Sequence, residues 1–227
     1  MSLNPVRRQF IADTEVLVWD LDLAEETTAD ASNVLPACEI QRALKARNPI
    51  LQRRRLAGRI LIRRTLSGLI GQRPEVLAFE RAPYGKPFLP SGPSFNISHS
   101  GKYLALAIRT SGRVGVDIEV MRDSPDLPTL ARRYFTESEQ RAIAGCREGV
   151  TQGFFRVWVR KEALLKATGF GLTLPLDSFS VSAARLLPGA NALNAMEVHH
   201  EHLRDWLITS VNGPSETVCA LALDSLG

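Results

Sequence analysis

The chain has 227 residues, 44% of them hydrophobic and 23% charged, a composition that allows a sizeable buried core and excludes wholesale disorder. No uninterrupted apolar stretch is long enough to span a bilayer, and MSLNPVRRQF has no apolar run after its arginines, so the expectation is a soluble cytoplasmic protein with no membrane association. The net charge of +4 and the pI near 9.2 come mostly from arginines clustered between Gln41 and Arg64, which attract polyanions: nucleic acid, phosphate-bearing cofactors or an acidic protein partner.

In chain order, a strand over Glu15–Leu21 precedes a polar helix start near Asp30–Asn33 and an arginine-rich helix from about Leu51 to Ile70. The turn-rich RAPYGKPFLPSGPS follows, then two short strands, FNISHS and Tyr103–Ile108, separated by Gly101-Lys102. In the next strand, RVGVDIEV, Val114, Val116, Ile118 and Val120 point one way, while Gly115, Asp117 and Glu119 point the other. A helix over Gly153–Thr168 stops at Gly169, and FSVS, DWLITSV and TVCALAL are strand-like, with Ala183–Ala195 a loop. LPACEIQRAL with its following helix echoes FTESEQRAI with its own, about 100 residues later. Two similar α+β halves are therefore expected, residues 1–110 and 111–227, each supplying a helix and an antiparallel sheet.

The second long helix poses the chemical question. Glu162 and Lys166 stand at i,i+4, a spacing that on a solvated face contributes only a few tenths of a kcal/mol. At 100° per residue they share a face with Trp158 and Phe155, and Arg156, Arg160 and Ala167 form the sector expected to be exposed. Val157 and Leu164 also point away from Glu162, so the helix is covered on more than one face. Charges among large apolar groups must find partners or shift their pKa.

Asp117 and Glu119, at i,i+2 on one strand face, can converge on a single cation; with Glu162 they form an all-oxygen set suited to Mg2+ or Mn2+. Lys166 then serves as a phosphate partner or proton donor. His99 beside Ser98 and Ser100 can hold a phosphate, and Lys86 stands next to a rigid proline. His199, His200 and His202 lack a cysteine or a helical i,i+4 pair and do not suit zinc. Cys38, Cys146 and Cys219, odd in number and without a CxxC, suit neither a disulfide framework nor a metal site.

FNISHSG, VGVDIE and FFRVWVRKEALLKATGFGLTLPLDSFSV together resemble the surfactin-type 4'-phosphopantetheinyl transferases, whose motifs are an SHS segment, a GVDIE strand and a WxxKExxxK helix some forty residues on. The resemblance runs from about Arg47 to Ser182 and includes YGKP and the RRYF segment at Arg132–Phe135. It implies an α+β fold of two pseudo-symmetric lobes with coenzyme A in the cleft between them, and a monomer that moves phosphopantetheine from coenzyme A to a serine of an acyl or peptidyl carrier protein, releasing 3',5'-ADP. By the same resemblance Asp117, Glu119 and Glu162 would hold Mg2+, Glu162 would also activate the serine, and Lys166 would neutralise the leaving diphosphate oxygen. Lys86, Ser98 and His99 would hold coenzyme A phosphates, with Arg47 and Arg54 on the 3'-phosphate, although RNPILQRRR departs from the family's usual spacing.

Two other readings of the residues remain open. A metal-dependent phosphodiesterase or nuclease would also use acids, a lysine and a basic surface. A basic nucleic-acid-binding module explains the arginines, but without a cation its three acids would repel phosphate, and the arginine-rich stretch has no aromatic residue to stack on a base.

Overall fold

A computed structural model describes residues 4–24, 28–169, 171–194, 203 and 205–224. The three histidines His199, His200 and His202 lie outside the described residues. In the N-terminal half, β1 (Arg7–Ile11) and β2 (Thr14–Asp20) form a hairpin, followed by α1 (Thr28–Val34), α2 (Ala37–Leu44) and the long α3 (Pro49–Ile70). Two-residue strands β3 (Glu80–Arg81) and β4 (Pro87–Phe88) lead to β5 (Ser94–Ser100) and β6 (Tyr103–Arg109). The second half contains β7 (Val114–Val120), α4 (Leu127–Tyr134), α5 (Glu137–Ala144), α6 (Val150–Thr168), β8 (Ser180–Val181), β9 (Leu193–Asn194), β10 (Trp206–Val211) and β11 (Thr217–Asp224).

The longer strands make two antiparallel sheets, ordered β1-β2-β6-β5 and β10-β11-β7, and β3-β4 and β8-β9 are separate two-stranded pairs. Side-chain alternation then dictates the layers. Leu17, Trp19, Leu104 and Leu106 of the first sheet pack on Ala57, Leu61 and Leu66 of α3. The opposite face, with Val16, Val18, Ala105 and Ala107, packs on Val114, Val116, Ile118 and Leu221 of the second sheet. Ala220, Ala222 and Ile208, on the far side of that sheet, pack on α6 through Val159, Ala163 and Leu164. The order is helix, sheet, sheet, helix, and each fully buried aliphatic side chain in it contributes about 1.5–3 kcal/mol.

Helix ends follow local chemistry. Asn48 caps α3 by accepting from Ile50 N at 2.8 Å, with Pro49 at the first helical position. Gly169, at φ 74°, ends α6 in the left-handed conformation that glycine adopts without strain. Three expectations need correction. The segment Ala183–Ala195, read as loop, contains β9, which pairs with β8. The helix carrying Glu162 starts at Val150, a turn earlier than Gly153. Arg156, Arg160 and Ala167 are buried rather than exposed: the chain after β8 covers the two arginines, and Ala167 lies against Gly115 of β7. Arg160 donates to the carbonyls of Ser182 and Ala184 and to Ser210 Oγ, and Arg156 to Ala183 O and Glu148.

The sequence echo corresponds to a repeated tie. Glu39, third residue of α2, accepts from Arg63 of α3 at 2.6 Å; Arg63 also donates to the carbonyls of Pro74 and Leu77 and lies over the Phe79 ring. Glu139, third residue of α5, pairs at 2.9 Å with Lys161 of α6, which donates to the carbonyls of Leu176 and Phe179 and lies over the Phe179 ring. In each half a short helix, a long helix and the irregular segment after it are fastened through one cation.

Candidate active site

The site forms where the two sheets meet. The N–H groups of Val116, Ile118 and Val120 on the β5 side donate to side chains in place of backbone carbonyls: to Asn96 Oδ1 at 2.9 Å, Ser98 Oγ at 3.3 Å and Ser100 Oγ at 3.0 Å. The constant offset of twenty residues makes β5 and β7 parallel, joined by side chains in place of a ladder. Having accepted from the backbone, Ser98 donates to Asp117 Oδ1 at 2.7 Å and Ser100 to Glu119 Oε2 at 2.6 Å.

From the other side α6 approaches β7 so closely that a Cβ on Gly115 would lie 2.0 Å from Ala163 O and 2.5 Å from Ala167 N. Between Gly153 and Ala167 every residue of α6 is buried except Trp158, Glu162 and Lys166, which form one i, i+4, i+8 stripe. Lys166 Nζ reaches Asp117 Oδ1 at 2.6 Å and Ser98 Oγ at 2.9 Å. Asp117 Oδ2 is buried and has no hydrogen-bond partner among the described residues.

Burial raises the pKa of all three acids. For Asp117 the Lys166 ammonium and the Ser98 hydroxyl oppose the rise. For Glu119 the Ser100 hydrogen bond opposes it while the charge of Asp117 adds to it. Glu162 is raised by burial and further by the charges of Asp117 and Glu119, against Lys166. The mutual repulsion shows that the three carboxylates share one field. Among the described residues, no group of three His, Cys, Asp or Glu side chains is gathered closely enough to ligate a metal ion. The chemistry of the donors nevertheless fits a hard cation: three carboxylates, one with an orphaned buried oxygen.

Two cavities adjoin here. A 290 Å3 recess is lined by Tyr84, Lys86, Asn96, Glu162, Leu165 and Lys166, and a 510 Å3 cavity by Arg42, Arg54, Arg55, Arg59, Arg63, Arg81 and His99 with Glu39 and Glu80 on its polar side and by Phe79, Phe95 and Leu104 on its apolar side. Pro87 and Ile97 line both. A third cavity, of 670 Å3, lies in the second half, lined by Glu139, Ala142, Ser180 and Val181 among others.

The expected site residues are distributed among these places. Ser98, Asp117 and Lys166 are joined by hydrogen bonds, Glu119 is held by Ser100 two residues along β7, and Glu162, one turn before Lys166, lies within reach of the charges of both acids. Ser98 and His99 do not come together, because strand alternation turns them to opposite faces: Ser98 toward the acids, His99 into the arginine-lined cavity. Lys86 directs its ammonium to Val114 O at 2.7 Å and Ala167 O at 3.4 Å, bracing the hairpin against β7 and α6, and burial lowers its pKa to about 8, helped by the charge of Arg113 and opposed by Asp224. Arg54 lines the larger cavity while holding Asp22 through two bonds of 2.8 and 2.6 Å. Arg47 is exposed just before α3 and lines neither cavity. Three arginines that sequence reasoning passed over, Arg42, Arg55 and Arg81, line the cavity without a carboxylate partner among the described residues. Only the fold brings Arg81, from the hairpin, beside the two helices. Asn96 and Ser100 were marked in the sequence by polar residues at period two in FNISHS.

Among the described residues, no helix is long and apolar enough to cross a membrane. Residues 113–222 match the model of the 4'-phosphopantetheinyl transferase superfamily, and residues 23–111 that of the 4'-phosphopantetheinyl transferase N-terminal region. The chain is 36% identical over 166 residues to the 4'-phosphopantetheinyl transferase HetI of Nostoc sp., an alignment covering 70% of each protein. It is 37% identical over 131 residues to the 4'-phosphopantetheinyl transferase Sfp of Bacillus subtilis, covering 56% of this chain and 57% of Sfp. With the 4'-phosphopantetheinyl transferase AcpT of Salmonella typhi it shares 39% identity over 142 residues, 60% of this chain and 70% of AcpT. The chain thus spans a little over half of Sfp and about seven-tenths of HetI and AcpT.

Proposed function

This chain belongs to the 4'-phosphopantetheinyl transferase superfamily, and from that premise we propose that it transfers phosphopantetheine from coenzyme A to a serine of an apo carrier protein, releasing 3',5'-ADP. The observation that carries the reading is that Lys166, paired with Asp117, and Glu162 line a recess that shares Pro87 and Ile97 with an arginine-lined cavity, with Glu119 two residues along β7 from Asp117. A substrate with a phosphorylated nucleoside at one end and a diphosphate in the middle suits that arrangement.

In this reading Arg42, Arg55, Arg81 and His99 take the 3'-phosphate end of coenzyme A, Arg54 lining the same cavity from its place on Asp22. Asp117, Glu119 and Glu162 are the residues that would hold Mg2+, or Mn2+ in its place, which when bound supplies charge neutralisation on the diphosphate. Lys166, already held toward the acids, turns its ammonium to the oxygen that leaves with 3',5'-ADP. Ser98 and Lys86 frame the diphosphate by fixing Asp117 and the hairpin, rather than as direct phosphate ligands. Glu162 is the base. Its raised pKa suits a carboxylate that takes the proton of the carrier serine as the serine oxygen bonds to the β-phosphorus and the bond to the bridging oxygen breaks. No protein nucleophile is required.

The proposal includes a division of labour between residues 1–110 and 111–227, a monomer that completes its cleft within one chain, and a cytoplasmic location without nucleic acid or membrane. Incubation with coenzyme A, Mg2+ and an apo carrier protein tests it by intact mass. The expected result is a carrier heavier by one phosphopantetheine. An unmodified carrier together with metal-dependent cleavage of DNA would overturn the reading in favour of a nuclease.

A further inference from the structure

We propose that Ser100 is a positioning residue, which fixes the Glu119 carboxylate for the divalent cation from across the joint between the two sheets. The inference rests on the metal assignment above and adds a residue to it. Val120 N can only donate, so Ser100 Oγ must accept from it at 3.0 Å. The single hydroxyl hydrogen is therefore free to point elsewhere, and it points at Glu119 Oε2, 2.6 Å away. One backbone N–H thus orients the hydroxyl and the hydroxyl orients the carboxylate.

Glu119 depends on this contact more than its neighbour does on the matching one. Asp117 is held by Ser98 and also by Lys166, whereas Ser100 gives the one hydrogen bond that the Glu119 carboxylate receives among the described residues. With Oε2 tethered, Oε1 remains for a cation. Glu119 is half-buried near the end of β7, where a carboxylate without a tether would sample several rotamers, and a ligand that must be ordered at the moment of binding binds more weakly. The group that prevents this comes from β5, in the opposite half of the chain, so the metal site depends on a strand that contributes no ligand to it.

Mn2+ binding, read from the loss of the free-ion electron paramagnetic resonance signal, tests the proposal without relying on turnover. The proteins are the wild type, Ser100→Ala, Ser100→Thr, Glu119→Gln and the Ser100→Ala/Glu119→Gln double variant. Ser100→Ala is expected to weaken Mn2+ binding by about three- to tenfold, the range of one lost orienting hydrogen bond, and Ser100→Thr, which keeps the hydroxyl, to restore it to within about twofold. The double variant is expected to bind no more weakly than Glu119→Gln alone. Should Ser100→Ala fail to fold by circular dichroism, Ser100→Cys keeps the volume with a weaker donor and is expected to weaken binding in its place. Wild-type affinity in a folded Ser100→Ala or Ser100→Cys protein, with only the thermal midpoint lowered, would reduce Ser100 to a structural role and overturn the proposal. A wild type that binds no Mn2+ would overturn the metal assignment, and this inference with it.

Discussion

Lys166 Nζ lies 2.6 Å from Asp117 Oδ1, closing an ion pair in which the acid is almost fully buried and the lysine is partly open to the cleft. Removing the ammonium strands the carboxylate in a poor solvent for charge. Lys166→Met is expected to cost about 2 kcal/mol, less than a wholly buried pair because the lysine side is solvated. Adding Asp117→Asn to it should recover most of the loss. Urea denaturation without metal checks both, and a double variant no more stable than the single one would refute the assignment.

Glu162 titrates above its ordinary range because burial and two neighbouring acids disfavour its charge. Near neutral pH the unfolded chain carries that charge in water while the folded protein carries it at a cost, so Glu162→Gln is expected to be the more stable protein. The advantage should shrink as pH falls through the raised folded-state pKa and vanish below the ordinary value of 4.5, where both states are protonated. The check is the difference between the two thermal midpoints, measured without metal from pH 4 to 8. In the transfer assay the same variant is expected to lose about a hundredfold to ten-thousandfold in rate, the range for losing a general base.

Gly115 sets the depth at which α6 lies on β7. Its substitution by alanine places a Cβ against helix backbone, which cannot rotate away as a side chain could. Gly115→Ala is expected to cost about 3 kcal/mol and to lower transfer further than stability alone explains, since Glu162 and Lys166 ride on the displaced helix. Denaturation midpoints together with transfer rates measured well below unfolding check this.

Preference for coenzyme A over its 3'-dephospho form measures the arginine-lined cavity. Arg42→Ala, Arg55→Ala or Arg81→Ala is expected to narrow the calorimetric preference by up to about tenfold each, less at high salt, and Arg47→Ala to leave it within about twofold. A large effect at Arg47 would move the 3'-phosphate site to the start of α3.

Much of the architecture was legible from period and punctuation: the valines of VGVDIEV, the arginine-rich helix, the Gly169 stop of the helix that carries Glu162, and the hundred-residue echo all correspond to elements of the fold. The placement of the candidate residues was legible where they lay along one element, as with Asp117 and Glu119 on a strand or Glu162 and Lys166 on a helix. What failed needed knowledge of what covers what. A helical wheel places Arg156 and Arg160 opposite Glu162, but it cannot show that the segment after β8 supplies carbonyls to both. Adjacent Ser98 and His99 suggested one phosphate site, yet alternation on β5 separates them by the thickness of the sheet. The resemblance put forward Arg47 and Arg54 for the 3'-phosphate; Arg54 lines the cavity and Arg47 does not, whereas Arg81 enters it from a hairpin that only the tertiary fold brings there.

The doubled tie, Glu39 with Arg63 and Glu139 with Lys161, lets the chain act as its own control. Positions that agree between the copies, the glutamate, the cation and the phenylalanines Phe79 and Phe179, answer to folding, and Lys161→Met, which strands a wholly buried glutamate, is expected to cost about 4 kcal/mol. Positions that differ include residues of the cavity walls. Arg42 is matched a hundred residues on by Ala142, and Arg81 by Val181, and these pairs line the 510 and 670 Å3 cavities in turn. The two halves thus share one skeleton while their cavities differ at these positions, and a graft of Ala142→Arg with Val181→Arg asks whether the second cavity, already lined by Arg147 and Arg185, can be made to bind a phosphate.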